Sequence, residues 1–424
     1  METMVIHGGA ALRGSVHVEG AKNAVLPALA ASLLVPGETA LVDVPDLDDV
    51  HTMKEVLEST GATIQQPRPG VLSVQTTGVT RGDVPVAPVQ KMRASFLVLG
   101  PLAARLGRAA VALPGGCAIG SRPVDLHLKG LEALGFEITV THGFVSARAE
   151  RLHGSRVYLD VPSVGATEHI MMAAVLAAGT TQIENAAEEP EIVDLATMLS
   201  AMGAKIHGAG TRTILIEGGN TLKPVTHRVI PDRIEAGTMM VAAAITGGDV
   251  TVHNVVPDHL RSVIAKLREA GAEVFEVTNA VRVIGRGRPL PLEIKTLPYP
   301  GFPTDMQPQF MALCAVADGT SSITENIFEN RFLHVDELRR LGAQIDIEGR
   351  RAVIHGQKRL TGAQVNATDL RAGAGLVLAG LVADGVTEIQ GAHHIRRGYM
   401  DLAGKLRSLG ADIWSEARAG VVAL

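Results

Sequence analysis

The pattern of hydrophobic and polar positions repeats six times along this 424-residue chain. In each repeat a glycine follows an amphipathic stretch and precedes a short run that alternates apolar and polar residues, as strands do. The spacings between successive glycines are 74, 68, 68, 71 and 68 residues. The six glycine-led segments are 61–64, 135–138, 203–206, 271–274, 342–345 and 410–413. This near-constant spacing of the glycines predicts six copies of one structural unit.

Each unit predicts two helices of different character. The amphipathic helix ends at the repeat glycine, because glycine adopts the positive φ that closes many helices. Clear examples are residues 49–60, 193–202, 259–270 and 400–409. The other helix is apolar on nearly every side, which is typical of a buried helix. These helices are predicted at 26–34, 94–106, 168–178, 235–246, 309–317 and 372–383. With strands such as 181–185 and 250–254 around them, the helices should lie inside and the sheets outside, which inverts the usual layering.

Length and composition favour two large domains. A chain that is 46% hydrophobic can bury more than one core, and six units group most simply as three and three. We place the boundary in the polar stretch 223–229 and expect residues 1–21 to form an opening strand that could pair with either half. Two cysteines do not make a disulfide framework and fit a reducing compartment. Cys314 lies in an apolar run and should be buried and inert.

Charge and targeting features exclude several classes of protein. The first residues are acidic and lack the pattern of a signal peptide, and the apolar runs are too short to span a bilayer. We therefore expect a cytoplasmic protein. A net charge of −5 argues against a nucleic-acid coat protein. The histidines show no metal-ligand spacing, so we expect no catalytic metal.

Residues 114–127 carry the densest candidate chemistry. Three glycines and two prolines surround Cys117, and Arg122, Asp125 and His127 follow. Glycine permits sharp turns and close approach to a ligand, and neighbouring cations favour the reactive thiolate. These residues alone leave two interpretations open, a reactive cysteine at a binding site or a surface loop with an inert thiol.

Further polar residues stand at the starts of the predicted buried helices. Lys22 and Asn23 suit an anionic ligand at a helix N-terminus, or ordinary capping. Asp305 could act as a general base, bind a hydroxyl or cap its helix. Several arginines at equivalent points of repeated units predict a shared cleft for carboxylate or phosphate groups. They are Arg93, Arg331, Arg371, Arg396 and Arg397.

Over essentially its whole length the chain resembles the enolpyruvyl transferase family. The cysteine loop is similar to that of the UDP-N-acetylglucosamine 1-carboxyvinyltransferases, whereas the related 5-enolpyruvylshikimate-3-phosphate synthases lack it. The residues that carry the resemblance are 22–23, 93, 114–120, 122–127, 163–167, 231–233, 304–307, 329–332, 367–371 and 397–399.

The resemblance implies an α/β fold of two domains, each an inside-out α/β barrel of three βαβαββ units, with the active site in the cleft between them. The first domain would span 22–229 and carry the Cys117 loop. The second would combine 1–21 with 230–424, so that the chain crosses twice between the domains.

The resemblance also implies a reaction, the transfer of enolpyruvyl from phosphoenolpyruvate to the 3′-hydroxyl of UDP-N-acetylglucosamine. Phosphate is released through a tetrahedral ketal, in the first committed step of peptidoglycan precursor synthesis. Cys117 matches the proton donor, which fosfomycin attacks, and Asp305 matches the acceptor of the hydroxyl proton. The residues that match phosphoenolpyruvate contacts, or line the same cleft, are Lys22, Arg122, Arg331, Arg371 and Arg397.

The nucleotide sugar would be bound by a second set of residues. By resemblance these are Asn23, Arg93, Arg122, Pro123, Val124, Asp125, Leu126, Ser163, Val164, Gly165, Asp305 and Ile327. We expect the two substrates as the only partners, without cofactor, metal, nucleic acid or membrane.

Two departures from the family pattern and two rival functions stay open. Arg396 replaces a residue that is commonly acidic, and Val161 stands where some members carry a lysine. One rival is an enolpyruvyl transferase for another acceptor, such as shikimate 3-phosphate. The other is a catalytically silent paralogue that binds UDP-sugar as a regulatory module, and a scaffold without ligand would leave the arginines unexplained.

Overall fold

The computed structural model describes residues 2–114 and 124–417 of the chain. The strands are, in chain order, β1 (Glu2–His7), β2 (Arg13–His17), β3 (Glu38–Val42), β4 (Thr63–Arg68), β5 (Val71–Gln75), β6 (Arg108–Ala112), β7 (Glu137–Thr141), β8 (Phe144–Arg148), β9 (Arg156–Tyr158), β10 (Gly179–Glu184), β11 (Lys205–His207), β12 (Thr213–Gly218), β13 (Thr226–Arg228), β14 (Asp249–His253), β15 (Glu273–Val277), β16 (Ala280–Ile284), β17 (Glu293–Lys295), β18 (Thr320–Thr324), β19 (Gln344–Glu348), β20 (Arg351–His355), β21 (Leu360–Thr361), β22 (Gln364–Asn366), β23 (Ala383–Asp384), β24 (Val386–Gln390) and β25 (Asp412–Ala417).

The α-helices are α1 (Lys22–Ala31), α2 (Asp48–Ser59), α3 (Val86–Lys91), α4 (Leu99–Leu106), α5 (Asp125–Ala133), α6 (Val164–Ala174), α7 (Pro190–Met202), α8 (Arg233–Ile245), α9 (Arg261–Glu269), α10 (Gln307–Ala315), α11 (Val335–Arg340), α12 (Leu370–Leu381), α13 (His393–Arg396) and α14 (Leu402–Ser408). Short 3-10 helices lie at Ser32–Leu34, Arg93–Val98, Pro257–Leu260 and Thr304–Met306. Among the residues described, no helix is long and apolar enough to cross a membrane.

The six repeat glycines end six helices, as the hydrophobic pattern predicted. Each has a positive φ, between 89° and 117°, a conformation that side chains with a Cβ rarely adopt. They follow α2, α5, α7, α9, α11 and α14, and β4, β7, β11, β15, β19 and β25 come directly after them. The repeat is therefore confirmed in its period and in its order of elements.

The described residues form two compact units. The first unit contains 20–114 and 124–230, and the second contains 2–19 and 231–417. In the first unit three sheets, in the orders β13-β3-β5-β4, β6-β8-β7 and β9-β10-β12-β11, surround the buried helices α1, α4 and α6. Helix α4 packs on α6 and on β6, while α1 packs on β3 and α6 on β12.

The second unit repeats this plan with three four-stranded sheets and adds a two-stranded sheet, β21-β23. The orders of the four-stranded sheets are β2-β14-β16-β15, β17-β18-β20-β19 and β22-β24-β1-β25. Helices α8, α10 and α12 pack against one another and against β14, β18 and β24 respectively. Every residue of α10 is buried. In both units the helices lie inside and the sheets outside, so the predicted α/β fold is confirmed.

Several local predictions were wrong in position. The predicted helix 94–106 is divided into a 3-10 helix and α4, because Pro101 is accommodated in a first helical turn rather than mid-helix. The predicted opening strand is two strands, β1 and β2, which lie in different sheets of the second unit. The domain boundary at 223–229 stays a prediction; β13 lies within that stretch and pairs in parallel with β3.

Candidate functional site

In the second unit, Asp305 lies between two buried arginines. It occupies the 3-10 turn that leads into α10. Its Oδ1 accepts a hydrogen bond from Nη2 of Arg331 at 2.8 Å, and its Oδ2 lies 3.4 Å from Nε and Nη2 of Arg371. The guanidinium side chains are 4% and 1% exposed, whereas the carboxylate is 27% exposed. The arginines therefore form the floor of the site, and the carboxylate is the group that a ligand can reach.

A buried glutamate holds in place the segments around Asp305 and Arg331. Glu325 is 1% exposed, and its Oε1 accepts hydrogen bonds from Thr296 and from the backbone amides of Ile327 and Phe328. Its Oε2 accepts from the hydroxyl of Thr304 at 2.9 Å, and that hydroxyl accepts from Nη1 of Arg331 at 3.0 Å. One carboxylate thus holds both the turn before α10 and the loop that carries Ile327.

Arg371 is packed against a second polar group, Tyr399. Its guanidinium carbon lies 5.2 Å from the ring centroid, within the range of a cation–π contact. The Tyr399 hydroxyl is hydrogen bonded to Thr238 at 3.0 Å and to Gln309 at 3.1 Å, which joins α8 and α10. Burial raises the pKa of Tyr399, although Arg371 opposes that shift. The ring is therefore a neutral, fixed platform for Arg371.

The loop after α13 carries Arg397, and its next residue, Gly398, approaches the same guanidinium. Arg397 follows α13 and is half-buried. A Cβ at Gly398 would lie 2.3 Å from Cδ1 of Leu370 and 3.5 Å from Nη1 of Arg371, so a larger residue there would displace the Leu370 side chain. Arg396, the charge departure, forms an ion pair with Glu2 of β1 at 2.9 Å. The reversed charge therefore has an acidic partner on a neighbouring strand.

In the first unit, Lys22 is held by a carboxylate that sequence reasoning missed. Its Nζ lies 2.9 Å from Oδ2 of Asp49, and both side chains are largely buried. A lysine at the start of α1 faces the positive end of that helix, whereas Asp49 in the first turn of α2 is favourably placed. Asp49 therefore offsets the cost of keeping a cation at this position. The sequence signal was an acidic residue in the first turn of an amphipathic helix, and the structure shows that this helix packs on α1.

The candidate nucleotide-sugar residues of the first unit form two groups. Asn23 and Arg93 begin α1 and the 3-10 helix that packs against it, and both are half-buried. The second group consists of the N-termini of α5 and α6, with Val124, Asp125 and Leu126 on one and Ser163, Val164 and Gly165 on the other. Ser163 caps α6 by accepting from the amide of Ala166 at 3.3 Å. A Cβ at Gly165 would lie 3.1 Å from His127 of α5, so these two helix starts are in contact.

Three predicted site residues, Cys117, Arg122 and Pro123, lie outside the described residues. Cys314 is buried as predicted, and burial raises the pKa of its thiol to about 12. Val161, the second departure, is exposed. Asp305 does not cap α10 with its side chain, so its pairing with Arg331 and Arg371 replaces the capping interpretation.

Comparison with known proteins decides the family. A family model described as EPSP synthase (3-phosphoshikimate 1-carboxyvinyltransferase) matches residues 6–406. UDP-N-acetylglucosamine 1-carboxyvinyltransferase 2 of Carboxydothermus hydrogenoformans is 60% identical over 415 residues, which are 97% of this chain and 99% of that protein. This chain belongs to the family of UDP-N-acetylglucosamine 1-carboxyvinyltransferases. Carboxyvinyltransferase 1 of Halalkalibacterium halodurans is 59% identical and covers 97% of this chain and 94% of its own.

Solved structures place the fold of this chain among the enolpyruvyl transferases. The enolpyruvyl transferase NikO from Streptomyces tendae matches with a TM-score of 0.87 and 27% identity, over 98% of both chains. An EPSP synthase from Acinetobacter baumannii matches with a TM-score of 0.76 over 98% of this chain and all of its own, and at 20% identity it bears on the fold alone. The family resemblance read from the sequence motifs is therefore confirmed.

Proposed function

We propose that this protein transfers the enolpyruvyl group of phosphoenolpyruvate to the 3′-hydroxyl of UDP-N-acetylglucosamine and releases phosphate. The observation that carries the proposal is the partly exposed carboxylate of Asp305 above the buried guanidinium groups of Arg331 and Arg371. Relatives named for this activity, 56–60% identical over nearly the whole chain, support it. The reaction belongs to peptidoglycan precursor synthesis and would take place in the cytoplasm.

The reaction proceeds by addition and then elimination. In the addition, a proton reaches the methylene carbon of phosphoenolpyruvate while the sugar oxygen bonds to the neighbouring carbon, which gives a tetrahedral ketal. In the elimination, phosphate leaves and the methyl group loses a proton, so the enol ether is restored. We assign the proton delivery to Cys117 and the removal of the hydroxyl proton to Asp305.

Cations are needed because phosphoenolpyruvate carries a carboxylate and a phosphate. We assign these contacts to Lys22, Arg122 and Arg397, with Arg331 and Arg371 beside them. The last two arginines pair with Asp305, and a carboxylate with two cationic partners is a weak base. An anionic substrate competes for the same guanidinium groups, which frees Asp305 to accept a proton when both substrates are bound.

The nucleotide sugar is assigned to the helix starts of the first unit. The starts of α5 and α6 offer backbone N–H groups that have no acceptor within the helix, and these suit the oxygens of a diphosphate and a uracil ring. We assign the contacts to Asn23, Arg93, Ser163 to Gly165 and the segment 122–126, with Asp305 and Ile327 from the second unit. The domains proposed are 22–229 and 1–21 with 230–424, which the division of the chain after Glu19 and Ile230 supports.

Phosphate release from phosphoenolpyruvate, measured with and without UDP-N-acetylglucosamine, tests the function. We expect sugar-dependent release in wild type and a loss of at least about 100-fold in Cys117→Ser, because general acid catalysis contributes on that order. Cys314→Ala is the matched control, since that thiol is buried and protonated, and it should keep wild-type release.

The outcomes separate the rival functions. Release with shikimate 3-phosphate instead of the UDP-sugar would identify another acceptor. Folded protein that binds the UDP-sugar without releasing phosphate would be the silent paralogue. Full activity in Cys117→Ser would keep the transferase but remove Cys117 from its role.

A further inference from the structure

Three buried rings lie behind the helix starts that we assign to the nucleotide sugar. His127 of α5, His169 of α6 and Phe96 are 6%, 0% and 1% exposed. The imidazole centroids are 5.3 Å apart, and the ring centroid of Phe96 lies 5.6 Å from each of them in T-shaped contacts. Sequence reasoning gave no role to His169, and the mechanism above does not use it.

The hydrogen bonds determine which ring nitrogen carries each proton. The backbone N–H of Gly100 donates to Nε2 of His169 at 2.7 Å. Because that nitrogen accepts, the proton of neutral His169 is on Nδ1. Burial lowers the pKa of His169 to about 3, so the ring is neutral at physiological pH.

A second hydrogen bond determines the tautomer of His127. The Nδ1 atoms of the two rings are 3.0 Å apart. Since Nδ1 of His169 donates, Nδ1 of His127 must accept, and the proton of His127 is on Nε2. The chain of donors therefore runs from Gly100 through His169 to Nε2–H of His127.

The far edge of His127 lies against α6. Atoms Cε1 and Nε2 would be 3.1 and 3.3 Å from a Cβ at Gly165, in the first turn of that helix. A neutral ring is favoured there, because an imidazolium would face the positive end of the helix. The contact joins Val124–Leu126 to Ser163–Gly165.

We propose that His169 is a positioning residue for the nucleotide sugar, which fixes His127 as the Nε2–H tautomer and thereby aligns the N-termini of α5 and α6 for binding. The proposal rests on the proposed function, because it takes UDP-N-acetylglucosamine as the ligand of these helix starts. His169 acts through His127, so its removal should change the affinity for the sugar and not the rate of the chemical step.

The dissociation constant of UDP-N-acetylglucosamine, measured by calorimetry, tests this role independently of turnover. His169→Phe keeps a flat ring but removes the acceptor and the donor. We expect it to weaken binding about 3- to 10-fold, the effect of about one hydrogen bond, while kcat at saturating sugar stays within about twofold. His169→Gln, whose amide keeps an acceptor and a donor, should recover part of the affinity.

A double-mutant cycle separates positioning from general packing. If His169 acts through His127, His127→Phe weakens binding and His169→Phe adds nothing further in that background. His227→Phe is the control, because His227 is also buried and paired, with Asp194 at 3.1 Å. It should lower the melting temperature without changing affinity.

The nitrogen chemical shifts of labelled wild-type protein test the tautomers even where a variant fails to fold. They should report Nδ1–H for His169 and Nε2–H for His127, and the opposite tautomer of either ring overturns the proposal. Unchanged affinity in His169→Phe, or additive effects in the cycle, overturns the role of His169 alone. A wild type that transfers enolpyruvyl only to another acceptor and does not bind the UDP-sugar overturns both proposals.

Discussion

At the scale of single residues, the candidate site depends on pairings between residues far apart in the chain. Asp305 meets Arg331 and Arg371, which are 26 and 66 residues away. Each residue could be named from its motif, because carboxylates and arginines suit this chemistry. Their pairing could not be read from the sequence, because it depends on how the turn before α10 and the start of α12 are folded together. Glu325 was missed for the same reason.

Asp305→Asn should abolish most of the activity and also reduce stability. The amide keeps the shape but provides neither a base nor an anion for two buried guanidinium groups. We expect kcat to fall at least about 100-fold and the free energy of unfolding to fall by about 1–3 kcal/mol. Steady-state phosphate release and urea unfolding measure the two effects. Asp258→Asn, which breaks an exposed pair with Arg261, should change neither, and near-normal turnover in Asp305→Asn would exclude Asp305 as the base.

Glu168→Gln should make the protein more stable at alkaline pH. Desolvation by burial, and then repulsion by Glu191 and Glu189, raise the pKa of Glu168 well above its usual value. Between the usual and the raised pKa the native state binds a proton that the unfolded state lacks, so stability falls as pH rises. This single group contributes a slope of up to about 1.4 kcal/mol per pH unit.

Urea unfolding from pH 4 to pH 9 measures that slope. The Glu168→Gln variant should lack this contribution and match wild type below the usual pKa of glutamate, where both states hold the proton. Exposed Glu132 of α5 provides the control, and Glu132→Gln should leave the profile unchanged. Parallel profiles for wild type and Glu168→Gln would mean that Glu168 is ionised in the folded protein.

At the scale of elements, the sequence predicted the existence and type of the helices better than their starts. Five buried helices begin two to four residues earlier than predicted, at Lys22, Val164, Arg233, Gln307 and Leu370. In three of them the residue before the helix caps it with a side-chain oxygen: Ser163, Asp232 and Asp369. These are preferred capping residues, so local chemistry was sufficient to place those three starts, whereas α1 and α10 have no side-chain cap. The close approach of helices, in contrast, depends on contacts between distant segments.

Two glycines within helices should respond differently to alanine. Alanine gains about 1 kcal/mol in helix propensity at either position. At Gly130 of α5 its Cβ would lie 2.2 Å from Cδ1 of Ile170, whereas at Gly237 of α8 it would meet the flexible end of Met306 at 2.9 Å. We expect Gly130→Ala to destabilise the protein by about 1–3 kcal/mol and Gly237→Ala to stay within about 1 kcal/mol of wild type. Thermal and urea unfolding compare the two, and equal stabilities would show that α5 can move away from α6.

At the scale of the whole molecule, the described residues of one unit all lie within 20–230, whereas the other unit combines 2–19 with 231–417. The ends of the first unit are adjacent, since the amide of Ala21 donates to the carbonyl of Ile230 at 2.7 Å. In the second unit β1 lies between β24 and β25, and β2 pairs with β14. The sequence predicted six repeats, but it did not predict which sheet the first strands complete, because both neighbours lie hundreds of residues away.

A fragment of residues 20–230 should therefore fold alone, whereas residues 231–424 should not. The first has its own sheets and core, and the second lacks the central strand of one sheet and an edge strand of another. Circular dichroism and urea unfolding should show a cooperative transition for the first fragment only. A permuted chain in which residue 424 is linked to residue 1, and which spans 231–424 and 1–19, should restore folding of the second unit. Cooperative folding of 231–424 without that addition would show that β1 and β2 are dispensable.

The central position of β1 also bears on the order of events during synthesis. The ribosome makes β1 before its partners β24 and β25, which begin about 380 and 405 residues later. At about 5–20 residues per second, this strand, with Met4, Val5 and Ile6 at its centre, waits about 20 to 75 seconds for β24. The segment 20–230 can be complete long before then. Until β24 and β25 are made, the growing chain thus carries a strand without its partners, and this strand is where aggregation during expression, or capture by a chaperone, is expected to begin.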